Sequence, residues 1–196
     1  MAAAIKNLLT RNVEEVIDRT HLEQALKSGE KLRIKLGIDP TGGNVRVGQK
    51  VVPAGNIHIG RAVVLWKLKE FQDLGHKIVL IIGDFTAQIG DPSDKLGKRP
   101  FLTAVQVKEN LKGYFPQIGK ILDLKKVEIH YNSEWLSKLN FRETAELAET
   151  FTVNQMLRRH NFRDRWDKGE EISVREFLYP VMQGYDSVMV KADVEL

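Results

Sequence analysis

The sequence contains no cysteine. That excludes a disulfide framework, a thiolate metal site and a cysteine nucleophile, and it fits a reducing compartment. No apolar run reaches membrane-spanning length. The first residues, Met1-Ala2-Ala3-Ala4-Ile5-Lys6, lack the apolar core of a signal peptide. A Walker loop, a GxGxxG fingerprint and a GxSxG elbow are all missing. The five histidines show no metal-ligand spacing, so no protein-bound metal is expected. Four of them, His21, His76, His130 and His160, read as surface or satisfied core histidines. What remains is 196 residues, 42% apolar, enough for one large domain, or a domain with an insertion, built round a real core. A net charge of +4 with a pI near 9.2 permits a polyanionic partner, nucleotide or RNA.

The most informative stretch runs from Lys35 to Gly60. Leu32–Ile38 reads as a buried strand, Asp39-Pro40-Thr41 follows it, and His58-Ile59-Gly60-Arg61 opens an amphipathic helix. Ligands of open α/β sheets bind at strand carboxyl ends and helix N-termini, so this is the expected nucleotide site. His58 stands where the helix dipole and backbone N–H groups favour a phosphate, and its ring can donate to a phosphate oxygen. Gly60 lets an adenosine approach the backbone closely. The stretch also contains a near-repeat: Gly43-Asn44-Val45-Arg46-Val47-Gly48 mirrors Gly55-Asn56-Ile57-His58-Ile59-Gly60.

Around this stretch the pattern predicts an α/β fold. Residues 12–28 read as a helix with Thr20 as N-cap, Glu23 reaching back and Gly29 as its stop. Residues 62–74 form a helix ended by Gly75, and Ile78–Ile82 a central parallel strand, which makes a βαβ unit. The loop from Gly83 to Ser93 belongs at the ligand edge. The basic run after it, with Lys95 and Arg99, is either a solvated loop or a phosphate binder. Thr103–Gln106 is a capping box opening helical sequence to about Leu122. Val127–Tyr131 is a third strand, and Glu134–Leu139 and Arg142–Phe151 are helical. Residues 152–172 are polar and basic and read as helix plus loop on a surface. Ser173–Glu176 caps a helix through about Asp186, and Val188–Val190 has the composition of a strand start. Tyr179, Gln183 and Asp186, near i, i+4 and i+7, share one helix face, which alone suits a packed polar face or a pocket. Asn132 and Trp135 suit either a turn with a core aromatic or a pocket wall.

Six segments then form a pattern: Gly37-Ile38-Asp39-Pro40-Thr41, His58-Ile59-Gly60, Gly90-Asp91-Pro92-Ser93, Tyr131–Trp135, Thr152-Val153-Asn154 and Tyr179–Asp186. In this order they resemble bacterial tyrosyl-tRNA synthetases, over nearly the whole chain. The His-Ile-Gly element alone would mark only a class I synthetase or related nucleotidyltransferase. Gly-Asp-Pro-Ser paired with Tyr-x-x-x-Gln-x-x-Asp points to tyrosine. The resemblance implies a Rossmann-like parallel sheet with helices on both faces and a cytoplasmic tyrosine–tRNA ligase. Such an enzyme joins tyrosine to ATP, with Mg²⁺, and passes the tyrosyl group to tRNA(Tyr). It also implies a homodimer formed through residues around 152–178, with no membrane partner. It assigns Thr41 and His58 to the phosphates as catalytic positions, and Asp39, Gly60, Arg61, Lys95 and Arg99 to the ATP side. Asp91, Tyr179 and Gln183 match the positions that hold the substrate ammonium. Asp186 matches the acceptor of the phenol hydroxyl, with Lys35 and Asn132 beside it. A buried carboxylate that phenylalanine would leave unpaired disfavours that substrate.

The sequence departs from the family at four points. Residues 42–57 separate Thr41 from His58 where the family has only a handful; an inserted or duplicated flap over Val45–Val52 accounts for them. Arg61 replaces the final His of the HIGH element, and Lys35 stands where many members carry a second phenol-binding tyrosine. The KMSKS loop and anticodon-binding region are absent. The expectation is therefore the N-terminal portion of a catalytic domain, 1–196, with an insertion near 42–57 and a connective helical region near 140–178. On its own it would be weakly active or inactive. The alternatives are a non-catalytic tyrosine- or RNA-binding remnant and a different class I adenylating enzyme.

Overall fold

The computed structural model describes residues 2–40, 44–47, 50–53, 57, 59–89 and 103–196. In chain order these give α1 (Ala2–Leu8), α2 (Arg19–Ser28), β1 (Arg33–Ile38), β2 (Asn44–Val47), β3 (Lys50–Pro53), α3 (Ile59–Asp73) and β4 (Lys77–Ile82). Next come α4 (Thr86–Ile89), α5 (Ala104–Ile118), a 3₁₀ turn and β5 (Val127–Tyr131). Then follow α6 (Ser133–Leu136), α7 (Phe141–Glu149), α8 (Val153–Leu157), α9 (His160–Asp167), α10 (Val174–Met189) and β6 (Val194–Glu195).

The described main sheet runs β5-β4-β1-β6, and every pairing in it is parallel. β4 is apolar on both faces, and its alternation feeds two cores. Ile78 and Leu80 join Leu65, Leu68 and Phe71 of α3, Leu26 of α2, Tyr114 of α5 and the α1 residues Ile5 and Leu8. Val79 and Ile81 face the other way, against Trp135 and Leu136 of α6 and Met182 of α10. Helices therefore cover both faces, as the family resemblance implies. The order reverses at β1: β4 and β5 lie on one side of it and β6 on the other. That switch point is where an open sheet leaves a crevice at its carboxyl edge.

Several helix caps match expectation. Gly29 closes α2 at φ +80°, a conformation in which a Cβ would be strained. Thr103 and Gln106 make a full capping box at α5, and Glu176 accepts the Ser173 N–H at 3.0 Å before α10. Within α10, Pro180 cannot donate to the carbonyl of Glu176 and sits buried one residue after Tyr179.

Five expectations need correction. The helix over 12–28 begins only at Arg19. Asp18, not Thr20, caps it by accepting the His21 N–H at 3.1 Å, because a carboxylate in cap position outcompetes a hydroxyl two residues later. Glu23 does not reach back; it pairs with Arg19 at 2.8 Å and lies 3.6 Å from Lys27. Helix α6 stops at Leu136 instead of continuing to Leu139. Val188 and Met189 are the last turn of α10, and the strand comes later, at Val194. The helical repeat overrides β-branched composition there, and Lys191, at φ +50°, turns the chain. Residues 152–172 are not surface alone: Met156 and Phe162 are buried, and the Phe162 and Phe177 rings meet edge-on at 4.9 Å.

The flap expected over Val45–Val52 is an antiparallel hairpin, β2 on β3, with Val45 opposite Val52. It forms a sheet of its own. The two copies of the near-repeat thus take different structures: the first supplies β2, whereas Ile59 and Gly60 of the second begin α3.

Three of the histidines have partners for their side chains. His76 accepts the Leu32 N–H at 3.2 Å, and His160 contacts Asp164 at 3.1 Å. On the polar face of β5, His130 lies 2.7 Å from Glu128, which is also held by both terminal nitrogens of Arg33 at 2.7 and 3.1 Å. Arg33 foremost, then His130, pull the Glu128 carboxyl from near 4.5 down to about 2. A carboxyl lowered by folding stabilises the fold above its unfolded pKa and loses that contribution as pH falls toward the folded value. Glu128→Gln should therefore lower stability by about 1 kcal/mol at pH 7 after allowing for solvent screening. The gap should close as urea melts are repeated down to pH 2–3.

Candidate functional site

A cavity of about 280 Å³ opens at the carboxyl ends of β1, β4 and β6, at the point where the strand order reverses. Its wall includes Lys35–Asp39 from β1 and its exit, Ile81 and Gly83 from β4, and Thr86 from α4. Arg61 and Tyr114 close one side. Asn132, Tyr179, Gln183, Asp186 and Glu195 close the other. The helix face carrying Tyr179, Gln183 and Asp186 is thus a pocket face.

Asp186 is buried, 5% exposed. Trp135 Nε1 donates to one carboxylate oxygen at 2.7 Å and Asn132 Nδ2 to the other at 3.2 Å. Burial pushes the Asp186 carboxyl up to about 6, against those two hydrogen bonds and the nearby Lys35 ammonium, with Asp39 adding to the rise. Asn132 is itself fixed, because its Oδ1 accepts the Phe85 N–H at 3.0 Å and its Nδ2 also reaches Thr86 Oγ at 3.2 Å. Thr86 donates onward to Asp39 Oδ1 at 2.8 Å, and the Tyr179 hydroxyl donates to Asp39 Oδ2. A continuous network therefore joins the two carboxylates across the pocket. Gly83 makes room for it: a Cβ there would stand 1.8 Å from Asp39 Oδ1 and 2.4 Å from Thr86 Oγ.

Lys35 is fully buried. Its ammonium donates to the Gln183 carbonyl at 3.0 Å, Ser187 Oγ at 3.1 Å and Glu195 Oε1 at 2.8 Å. Gln183 Nε2 and Ser187 Oγ also donate to Glu195, each at 2.6 Å. Burial pushes the Glu195 carboxyl up, but the donors from Lys35, Ser187 and Gln183 outweigh it and hold it below its ordinary range. This ring ties β1, α10 and β6 together on the polar face of the sheet.

On the opposite wall Arg61 Nη1 donates to Tyr114 Oη at 2.8 Å and lies 3.5 Å from the Asp39 carbonyl. Gly60 is exposed in the first turn of α3. Thr41, His58, Asp91, Lys95 and Arg99 lie outside the described residues. Of the expected site residues that are described, the structure brings Lys35, Asp39, Arg61, Asn132, Tyr179, Gln183 and Asp186 to one cavity. Gly60 does not line it. Sequence reasoning places the loop that begins at Gly83, and with it Thr86, at the ligand edge without giving either residue a role; Tyr114, Ser187 and Glu195 are placed only by the tertiary fold. Among the described residues no group of His, Asp and Glu could hold a metal ion, and no helix is long and apolar enough to cross a membrane.

Residues 51–196 match the family described as tRNA synthetases class I (W and Y). The chain is 48% identical over 193 residues to the tyrosine–tRNA ligase of Carboxydothermus hydrogenoformans, covering 96% of this chain and 44% of that protein. It is also 48% identical over 189 residues to the tyrosine–tRNA ligase of Thermotoga maritima, again covering 44% of it. The chain thus spans less than half the length of these relatives. In fold it resembles a C-terminally truncated mitochondrial tyrosyl-tRNA synthetase of Coccidioides posadasii, with TM-score 0.72, 24% identity, and coverage of 98% of this chain and 53% of that one. The Archaeoglobus fulgidus tyrosyl-tRNA synthetase complexed with L-tyrosine superposes with TM-score 0.71 at 22% identity, covering 99% of this chain and 54% of that one. With its parallel sheet, its crevice at the switch point and this match over most of its length, the chain belongs to the class I tRNA synthetase family of the W and Y type.

Proposed function

We propose that this chain carries the amino-acid half of a tyrosine–tRNA ligase active site and that the cavity receives tyrosine, with ATP entering beside it as its Mg²⁺ complex. The observation that carries this reading is Asp186. It is a buried acceptor in the wall of a pocket of amino-acid size, aimed by two donors that cannot themselves accept. A phenol hydroxyl adds a third donor to that carboxylate, which phenylalanine cannot supply. Trp135 and Asn132 are positioning residues for it. Tyr179, Gln183 and Asp91 would hold the ammonium, helped by the negative charge of Asp39. Arg61, Gly60, Thr41 and His58 would face the nucleotide, and Lys95 and Arg99 the pyrophosphate.

The chemistry asks little covalent help of the protein. The tyrosine carboxylate must lie in line with the α-phosphate while charge on the departing pyrophosphate is stabilised. In the assembled enzyme the tyrosyl group would pass to tRNA(Tyr). Phe151, Val153, Trp166 and Val174 expose apolar surface along residues 151–174, and this supports a homodimer through that region. The reading as a tyrosine–tRNA ligase carries with it a cytoplasmic site of action.

Two expected outcomes test this. Asp186 accepts a phenol best when ionised, and its pKa is near 6. Tyrosine affinity, followed by calorimetry, should therefore rise from pH 5 to pH 7 by up to about tenfold per pH unit below the transition. Asp186→Asn should flatten that profile and narrow the preference for tyrosine over phenylalanine. Equal profiles for wild type and variant would remove Asp186 from the site. Tyrosine-dependent ATP–pyrophosphate exchange should be weak in this chain and should strengthen when residues 44–55 are deleted to restore a short Thr41-to-His58 spacing. Tyrosine binding without exchange in either form would mark a binding module instead.

A further inference from the structure

The segment between β1 and α3, which carries β2 and β3, begins after Pro40 and ends at Ile57, and both of these residues touch the same helix. On α5, residues 110, 114 and 117 follow i, i+4, i+7 spacing and so share one face. Asn110, buried, donates from Nδ2 to the Pro40 carbonyl at 2.7 Å. Tyr114 accepts from Arg61 Nη1 at 2.8 Å, and the guanidinium lies 5.9 Å from its ring centroid. Gln117 Oε1 accepts the Ile57 N–H at 2.9 Å while its Nε2 donates to the Gly113 carbonyl at 2.6 Å. Turning that amide over would place a donor against a donor and an acceptor against an acceptor, so the two bonds fix its orientation together.

We infer that this polar stripe of α5 is a positioning clamp for the nucleotide side of the site. It holds the two stems of the inserted segment at fixed points, so that β2 and β3 loop out without displacing Asp39 at one stem or the start of α3 at the other. Asn110 grips the outgoing stem, Gln117 the returning one, and Tyr114 holds Arg61 between them. In sequence the residue after Ile57 is His58. The assignment of a nucleotide to this wall rests on the proposed function; the grip on the stems does not.

The test combines an exchange measurement that needs no ligand with binding measurements that do. In Gln117→Leu the Ile57 amide loses its acceptor, and its hydrogen exchange in the full 196-residue chain should quicken at least about fivefold. Gln117→Glu also loses the bond to Gly113 but keeps an acceptor for Ile57, and should return the rate to the wild-type value. ATP affinity, measured by calorimetry with Mg²⁺ and no tyrosine, should fall about fivefold in Gln117→Leu while tyrosine affinity stays within about twofold. Asn110→Ala, which releases the other stem, should give the same selective loss. Unchanged Ile57 exchange in Gln117→Leu overturns the clamp whatever the chain binds. Faster exchange with unchanged ATP affinity, or equal losses for ATP and tyrosine, overturns its positioning role. A wild-type chain that binds neither ligand overturns the proposed function instead, and the exchange comparison then decides the clamp.

Discussion

A carboxylate withdrawn from water must be given donors, and much of this structure follows from meeting that demand at Asp186. Trp135 and Asn132 supply them, and each needs its own support. Trp135 is anchored among Val79, Ile81 and Met182 in the second core. Asn132 is held by the backbone where β4 ends, and through Thr86 it links Asp186 to Asp39 and Tyr179. Burial still leaves Asp186 harder to ionise than a surface aspartate. The site therefore keeps an acceptor whose charge costs free energy in the empty protein. A partner that donates into it relieves that cost, and this is how a pocket comes to select by hydrogen bonding as well as by shape.

The same logic runs with opposite sign at Lys35. A buried ammonium needs acceptors, and it finds the Gln183 carbonyl, Ser187 and Glu195. Glu195 belongs to a strand of only two residues, β6, paired to β1 at Ile34 and Lys35. The ion pair and the strand pairing support each other. Carrying a lysine on the face of β1 thus ties the last strand into the sheet.

Sequence reasoning saw furthest where the signal was periodic and local. Ile78–Ile82 had to be a central strand because it is apolar on both faces, and Tyr179, Gln183 and Asp186 had to share a side of one helix. The boundaries that failed were settled by competition between neighbours: Asp18 over Thr20 as a cap, and the continuing turn of α10 over the β-preference of Val188. The loop of Gly83 was placed at the ligand edge, but the role of the glycine itself was not legible. Its role is an absence of atoms, felt only when β4 and the end of β1 lie side by side. Glu195 and Tyr114 are distant in sequence from everything they touch in the pocket, so no spacing rule reaches them.

The near-repeat carries a broader lesson. One copy of Gly-Asn-apolar-x-apolar-Gly is partly a strand and the other leads into a helix, so the motif itself specifies neither. Lengthening a loop whose ends are fixed costs little, about 0.6 kcal/mol for each doubling of its length. With Pro40 and Ile57 held by side chains from elsewhere, the length of chain between them is only weakly constrained. The β2–β3 pair contributes no strand to the parallel sheet, so added length in this segment is the change the sheet should tolerate best.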